Sequence, residues 1–482
     1  MTTHQNTPRF SLSPVATLRR ACSARWLALP VLLAGTFMVV LDFFIVNVAL
    51  PSMQADLHAS AGAIQWVVAG YALTSAVFLI TAARLGDRIG RRRAFSLGLG
   101  LFTAASAACG VAANPTVLVV SRLIQGAAAA LLMPNVLSII GVTFTGPDRA
   151  RALGAYGLVM GLAAVGGQLI GGSLVQLDIA GLGWRSCFLI NIPVGLLALA
   201  LAPGLVPESR GEQNQRLDLG GTVLVTAAVS AVVLPLVQGR QQGWPVWTWV
   251  SLGAAPVLLV GFLLHQRRLN RGGRSPLLDL TLFRERSFSA GLITQLVFWC
   301  GQASFFLVLA LYLQQGRGLS PLTAGLVFTI LAAAYVVTSA RAPALTERHG
   351  RRLLGVGALV LAAGHGLLLA AVADVGVGGS IAPLAPGLAL VGAGMGLLIV
   401  PLTTIIMAGM RPEQAGAASG ALATMQNLGG ALGVAITGAI FFGALHAGYA
   451  HAFELSLIEL AVLLLGVALL TRLLPARGAT PR

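Results

Sequence analysis

Lysine is absent from these 482 residues: all 31 basic side chains are arginine, set against 15 carboxylates. Without a lysine amine there is no Walker A phosphate loop, no Schiff-base pigment and no lysine nucleophile, so the chain does not draw on ATP by the P-loop route. Charge of either sign is scarce, 10% of residues against roughly a quarter in an ordinary soluble domain. With 56% hydrophobic residues and a mean hydropathy of +0.85, a water-soluble domain is excluded. Cysteine is sparse too. Cys22, Cys109, Cys187 and Cys300 lie far apart with no C-x-x-C spacing, and read as packing residues rather than a redox or metal centre. The histidines show no metal-ligand spacing either.

What is present is a series of long apolar runs flanked by arginine. A net charge of +16 raises nucleic acid as a partner, but arginines placed beside apolar runs, not gathered in a solvated patch, point to a bilayer. The first run, from about Trp26 to Leu50, is too long for a signal-peptide core and has no small-x-small cleavage site after it. A spanning helix needs roughly 20 mostly apolar residues. Fourteen such runs are present, at about 26–50, 64–83, 94–113, 116–140, 150–176, 186–203, 218–238, 247–264, 287–313, 322–342, 353–373, 383–410, 414–443 and 453–474. The division between the twelfth and thirteenth rests on the polar break Arg411-Pro412-Glu413-Gln414.

Arginine placement tests that count, because positive residues gather on cytoplasmic loops. With the N-terminus inside, 27 of the 31 arginines fall on inner segments, and only Arg185, Arg240 and Arg317 on outer loops. The remaining one, Arg122, falls inside the fourth run. Trp66, Trp184 and the cluster Trp244, Trp247 and Trp249 sit near outer ends, as interfacial anchors do.

The segment around Asp87-Arg88-Ile-Gly90-Arg91-Arg92 recurs as Glu347-Arg348-His-Gly350-Arg351-Arg352, at an offset of 260 residues. Carrying the first run forward by the same offset reaches the start of the ninth. The expected architecture is therefore all-α and polytopic, with fourteen helices arranged as six, two inserted, and six. Its segments are a cytoplasmic stretch 1–25, an N-terminal bundle 26–203, the inserted pair with its linkers 204–286, a C-terminal bundle 287–474 and a cytoplasmic tail 475–482. Such a duplication places a transport site between the two halves.

Ionisable groups inside apolar runs are expensive and mark function. Asp42 in the first run and Arg122 in the fourth fall at similar depth, so a buried pair with Asp42 as proton carrier is expected; a purely structural ion pair is the alternative. Glu454 and Glu459 read as interfacial or subunit-packing groups, and His365 as a hydrogen-bonded core residue. In the repeated loop Asp87 is suited to cap a neighbouring helix while Arg88, Arg91 and Arg92 reach carbonyls or carboxylates, and Glu347, Arg348, Gly350 and Arg351 repeat the pattern: a breakable inner latch. The fifth run carries Gly154, Gly157, Gly161, Gly166, Gly167, Gly171 and Gly172, which permit close helix approach. Gln125, Trp299, Gln302, Gln426 and Asn427 are candidate cavity residues.

Together these motifs resemble the major facilitator superfamily, and specifically its fourteen-helix drug/proton antiporter branch, from residue 26 to 474. Ala83 to Arg93 resembles the loop 2/3 signature, Leu118-x-x-x-Arg122-x-x-Gln125-Gly126 the helix 4 signature, and Leu41-Asp42 through Pro51 the helix 1 signature. Trp184-Arg185 with Phe188-Leu-Ile-Asn191-Ile-Pro193 is a further similar segment. The resemblance implies proton coupling at Asp42 and Arg122, stabilisation of one end of the transport cycle by the loop, and an exporter glycine motif at Gly154, Gly167, Gly171 and Gly172. The motif departs from the family pattern where Gln168 replaces a proline, and Ala83 replaces the usual opening glycine of the loop.

The expected function is a proton-coupled exporter of antibiotics or other hydrophobic small molecules, not an enzyme, in a bacterial plasma membrane with both termini cytoplasmic. Each charge crossing 100 mV supplies about 2.3 kcal/mol, enough to drive such export without a cofactor or metal. The ninth through the thirteenth helices carry no carboxylate away from their ends, which favours neutral, zwitterionic or anionic substrates. The expected partners are the drug, protons and lipid, with no nucleic acid, and the chain is expected to be a monomer. A metabolite uniporter or symporter on the same fold is the alternative; a polytopic enzyme or channel finds no supporting motif.

Overall fold

The computed structural model describes residues 14–210, 218–239, 242–272, 276–277, 283, 285–408 and 415–474. Residues 1–13, the Arg411–Gln414 break and the tail 475–482 lie outside the described residues. The described chain is helical. It runs through α1 (Pro14–Asp56), α2 (Ala61–Ile89), α3 (Arg91–Gly110), α4 (Pro115–Thr143), α5 (Gly146–Leu177), α6 (Ser186–Leu189) and α7 (Asn191–Leu205). The inserted pair is α8 (Leu219–Gln238) and α9 (Val246–Arg271). A second set follows as α10 (Arg286–Leu311), α11 (Pro321–His349), α12 (Arg351–Val375), α13 (Ala385–Ala408), α14 (Ala415–Ala444) and α15 (Tyr449–Leu470).

Among the described residues, 13 helices are long and apolar enough to cross a membrane. Helix α3, over the expected run at 94–113, is not among them: it opens on Arg91, Arg92 and Arg93 and ends at Gly110, which shortens its apolar part. The apolar span of the first helix begins at Arg25, beside the expected residue 26, while helix α1 itself starts at Pro14, since Ala, Leu and Arg are good helix formers whether or not they are apolar. The sixth run is broken into α6 and α7, beside Pro193, whose missing N–H removes the bond to the carbonyl four residues back.

The two sets pack alike. In the first, α1 lies on α5, α2 on α4, α3 on α4 and α7; in the second, α10 lies on α14, α11 on α13, α12 on α13 and α15. Between the sets α2 meets α14 and α5 meets α11. Helix α8 packs on both α2 and α14, while α9 leans on α8. Enclosure follows: 83% of the α10 span is buried but only 17% of that in α9, so α10 is central and α9 peripheral.

The sets close on each other at the end that carries Trp184. Gln314 Nε2, in a π-helical turn at Tyr312–Gly316, donates to Val48 O at 2.8 Å, and Gln315 Nε2 donates to Gln54 Oε1 at 2.9 Å. A Cβ on Gly172 would lie 2.5 Å from Pro321 O, and one on Gly325 2.7 Å from Gln168 O, so α5 and α11 touch backbone to backbone there. Nearer the arginine-rich end of α5 the geometry reverses: Gly154, Gly157 and Gly161 have nothing within 4 Å of a Cβ. Trp184, expected as an interfacial anchor, is buried instead, with its indole N–H donating to Asp56 at 3.0 Å.

Candidate functional site: a buried ion pair and its amide shell

Helix α4 starts cleanly because Asn114 caps it, its side chain accepting from Val117 N at 2.9 Å, with Pro115 at the first helical position. The i, i+3 spacing then puts Arg122 and Gln125 on one face, directed at α1. Arg122 is 1% exposed and Asp42 0%. Arg122 Nη1 bonds Asp42 Oδ2 directly and also donates to Gln125 Oε1 at 2.8 Å, while its Nε donates to Val67 O at 3.0 Å. The guanidinium lies over the Tyr71 ring, 4.2 Å from its centroid. Asp42 Oδ1 accepts from Gln125 Nε2 at 2.9 Å and from Asn191 Nδ2 at 3.3 Å.

The shell continues outward. Asn191 Nδ2 also donates to Ser106 Oγ at 3.0 Å, and Ser106 Oγ donates to Phe188 O at 2.8 Å. Five elements, α1, α2, α4, α3 and the α6–α7 break, thus converge on one carboxylate. A buried charge is tolerable only when paired and hydrogen-bonded, and here both conditions are met. Two polar atoms in this shell have no partner: the Tyr71 hydroxyl and Asn191 Oδ1. Chemically the arrangement pairs a carboxylate with a guanidinium in an apolar medium, and neutralising the carboxylate with a proton weakens the attraction that joins α1 to α4.

The structure joins Asp42 to Arg122 and adds residues that sequence reasoning assigned no role: Tyr71, Ser106 and Asn191. Asn191 stood in a recognised segment, but nothing in one dimension places it against Asp42. Gln125, expected in the substrate cavity, has its amide committed to Asp42 and Arg122 instead. The other cavity candidates lie on the α10–α14 contact. A Cβ on Gly429 would lie 3.1 Å from that of Trp299; Gln302 is buried with Oε1 unpartnered; Asn427 donates to Ala423 O at 2.9 Å, and Gln426 is half-buried.

At the arginine-rich end Asp87 does not cap a neighbouring helix; its Oδ1 takes the Arg91 guanidinium one turn on, at 2.8 Å. Arg92 Nη1 donates to Pro203 O at 3.0 Å and to Val206 O at 3.4 Å. Glu208, which sequence reasoning passed over, accepts from Arg92 N at 3.1 Å and lies 3.6 Å from the Arg92 guanidinium. Gly90 is required here, with φ +108° and Glu208 Oε1 2.7 Å from where a Cβ would be. In the second copy Arg351 Nη1 donates to Arg472 O at 2.9 Å and to Leu474 O, so both loops grip the end of the last helix of their set. Arg88, Glu347 and Arg348 are exposed, and Gly350 has φ +54°. Of the glycine motif, Gly167 and Gly171 receive α1, Gly172 receives α11, and Gly154 faces open space.

The inserted pair is tied to α2 at this end. Thr81 and Thr222 hydroxyls are 2.8 Å apart, and Arg84 donates to Pro276 O. Asp218 caps α8 through Gly221 N at 2.7 Å and holds His265 Nε2 at 2.8 Å and Gln266 Nε2 at 2.7 Å on α9. Burial raises the Asp218 carboxyl, but the bonds from Gly221, Gln266 and His265 outweigh it and leave it below the ordinary aspartate value. Elsewhere, Glu459 accepts from Thr437 at 2.9 Å and His365 contacts Leu361 O at 3.0 Å. Among the described residues no group of three or more His, Cys, Asp or Glu side chains is placed to hold a metal.

Comparison with known proteins gives a consistent picture. The family model "Major Facilitator Superfamily" matches residues 32–434. The chain is 42% identical to "Probable actinorhodin transporter" of Streptomyces coelicolor, over 87% of this chain and 72% of that protein. It is 33% identical to "Tetracenomycin C resistance and export protein" of Streptomyces glaucescens, over 91% and 79%, and 36% identical to a puromycin resistance protein of Streptomyces alboniger, over 90% and 85%. Its backbone is similar to that of a bacterial homolog of the human lysosomal transporter Spinster, solved inward-facing and unoccupied, with TM-score 0.66 and 18% identity over 95% of this chain and 99% of that one. The chain belongs to the Major Facilitator Superfamily and is a multi-pass membrane transporter, not an enzyme.

Proposed function

We propose that this protein is a proton-coupled antiporter that exports antibiotics or related hydrophobic small molecules across a bacterial cell membrane. The observation that carries the reading is the fully buried Asp42–Arg122 pair, a carboxylate whose charge an entering proton neutralises. Relatives named for actinorhodin, tetracenomycin C and puromycin support antibiotic export over metabolite uptake. In this reading α3 is counted with the thirteen helices that are long and apolar enough to cross, giving fourteen spans with both termini cytoplasmic. The arginine-rich end faces the cytoplasm. Closure at the Trp184 end and open space beside Gly154, Gly157 and Gly161 then correspond to a cavity opened inward.

Proton binding at Asp42 loosens α1 from α4 and permits the halves to rock, so that the cavity opens outward and the drug leaves. The scarcity of carboxylates in the C-terminal helices favours neutral, zwitterionic or anionic substrates. The proton gradient supplies the work, with no cofactor, and one chain suffices. The test is a panel of antibiotics against a pump-deficient host that expresses wild type or Asp42→Asn. Wild type raises the inhibitory concentration of at least one compound and Asp42→Asn does not. Undiminished resistance in Asp42→Asn removes Asp42 as proton carrier, and substrate uptake running inward with protons replaces antiport by symport.

A further inference from the structure

The amide of Asn191 is the one amide in the Asp42 shell whose oxygen has no partner, so its two ends are used unequally. Both polar hydrogens of Nδ2 are spent, one on Asp42 Oδ1 at 3.3 Å and one on Ser106 Oγ at 3.0 Å. Its Oδ1 is buried and has no partner. Ser106 Oγ, accepting from Asn191, gives its own proton to Phe188 O at 2.8 Å and so ties α3 to α6. An amide beside a carboxylate must present N–H; beside a carboxylic acid protonated on the oxygen that faces it, the O–H is a donor and the amide presents oxygen. We propose that Asn191 is a positioning residue that reads the proton on Asp42: its amide turns over on protonation and draws the Ser106 hydroxyl away from the Phe188 carbonyl.

Asn191 makes two hydrogen bonds in both states. With Asp42 ionised, two N–H bonds leave Asn191 and Ser106 holds Phe188. With Asp42 protonated at Oδ1, the two lone pairs of Asn191 Oδ1 accept from Asp42 and from Ser106, and the Phe188 carbonyl is released. One end of the amide lacks a partner in either orientation, Oδ1 with Asp42 ionised and the two N–H groups with it protonated; orphaned N–H groups cost more, so the amide turns only when the acid proton needs an acceptor. The other groups facing Asp42 do not offer this choice. Arg122 is a donor only, Gln125 Oε1 is already taken by Arg122, the Tyr71 ring lies under the guanidinium, and the thiols of Cys109 and Cys187 are directed to Gln125 Oε1 and Gly171 O. The effect is to carry a charge change on α1 to the α3–α6 tether, next to the break between α6 and α7.

This inference rests on Asp42 being the proton site, and the test separates the two. Infrared difference spectra of the purified, lipid-reconstituted protein, titrated with protons alone, contain a carboxylic-acid C=O band that is lost in Asp42→Asn. In Asn191→Leu, which keeps the volume and removes both polar ends, the band moves to higher frequency, as for an acid stripped of a hydrogen-bond acceptor. Because the 3.3 Å bond to the carboxylate is long and an acid O–H bond is short, the acid form loses more, and protons bind about tenfold less tightly, one pH unit. Ser106→Ala, a smaller perturbation, gives a smaller shift of the same sign and guards against misfolding of the leucine variant. A band unmoved in frequency and midpoint in both variants overturns the role of Asn191 while leaving Asp42 as carrier. If Asp42→Asn removes no band, the proton assignment falls and the amide switch with it.

Discussion

Asp42 and Arg122 come from helices 80 residues apart in sequence and meet side chain to side chain at 0% and 1% exposure, closed off from solvent on every side. Removing one partner leaves the other charged in an apolar medium, whereas removing both leaves only a packing change. Arg122→Leu is therefore expected to lower stability by about 3–5 kcal/mol, and the double variant Asp42→Leu/Arg122→Leu to recover most of it. Thermal unfolding in detergent reads both. A double variant no more stable than Arg122→Leu would show that the pair is held by something other than mutual neutralisation.

Gly172 and Gly157 lie on the same helix yet differ in surroundings, with Pro321 O 2.5 Å from a Cβ at the first and nothing within 4 Å at the second. Gly172→Val is expected to wedge α5 from α11 and weaken closure of the Trp184 end, while Gly157→Val leaves it intact. Leu319 is half-buried between the Tyr312–Gly316 turn and the start of α11, and maleimide labelling of Leu319→Cys in the two backgrounds provides the measurement, with at least a threefold faster reaction expected in Gly172→Val. Equal rates would mean that the α5–α11 contact does not govern closure.

Gly90 joins α2 to α3 with φ +108° and Glu208 against it. Gly90→Ala adds both backbone strain and a clash, a cost of about 1–3 kcal/mol. Glu208→Gln keeps the shape and removes the charge facing Arg92 and Arg93. The glutamine variant is expected to retain stability within about 1 kcal/mol, since half-exposed ion pairs contribute little, and to export less if the latch is electrostatic. Melting temperature and antibiotic resistance measured together separate the two effects.

Asp218 links stability to pH. Its carboxyl lies below the ordinary value of about 3.9 in the folded state, so its contribution is complete above that pH and is lost as pH falls through the folded value. Wild type is expected to lose this stabilisation on acidification below pH ~4, and Asp218→Asn to lack it at neutral pH and so fall less steeply. Parallel slopes of melting temperature against pH for the two proteins would rule the linkage out.

Much of the architecture is legible in one dimension because a bilayer imposes a local rule. Every spanning segment satisfies its own backbone, so apolar length alone marks helices, and arginine placement orders them. The 260-residue repeat likewise exposes the two matching sets. Local rules fail where the chain bends on itself. The start of α1 at Pro14 and the α6–α7 break at Ile190, three residues before Pro193, depend on helix propensity and proline geometry, not on hydropathy. A single exposed acid beyond a helix, as Glu208 is, carries no pattern in one dimension until the fold brings it against Gly90.

The absence of lysine, the arginine distribution and the depths of Asp42 and Arg122 are properties of the sequence, and they sufficed to indicate a membrane transporter with a charged pair inside it. Depth along two helices does not fix the rotation of either about its axis, so whether the pair touches is a tertiary fact. The same limit assigned Gln125 to a cavity, while the fold turns it onto Asp42. It also hid Asn191, whose place beside Asp42 needs the α6–α7 break and the approach of α1, α3 and α7 around one carboxylate. Burial removes water as the alternative partner, and only the packed assembly decides which side chains must take its place.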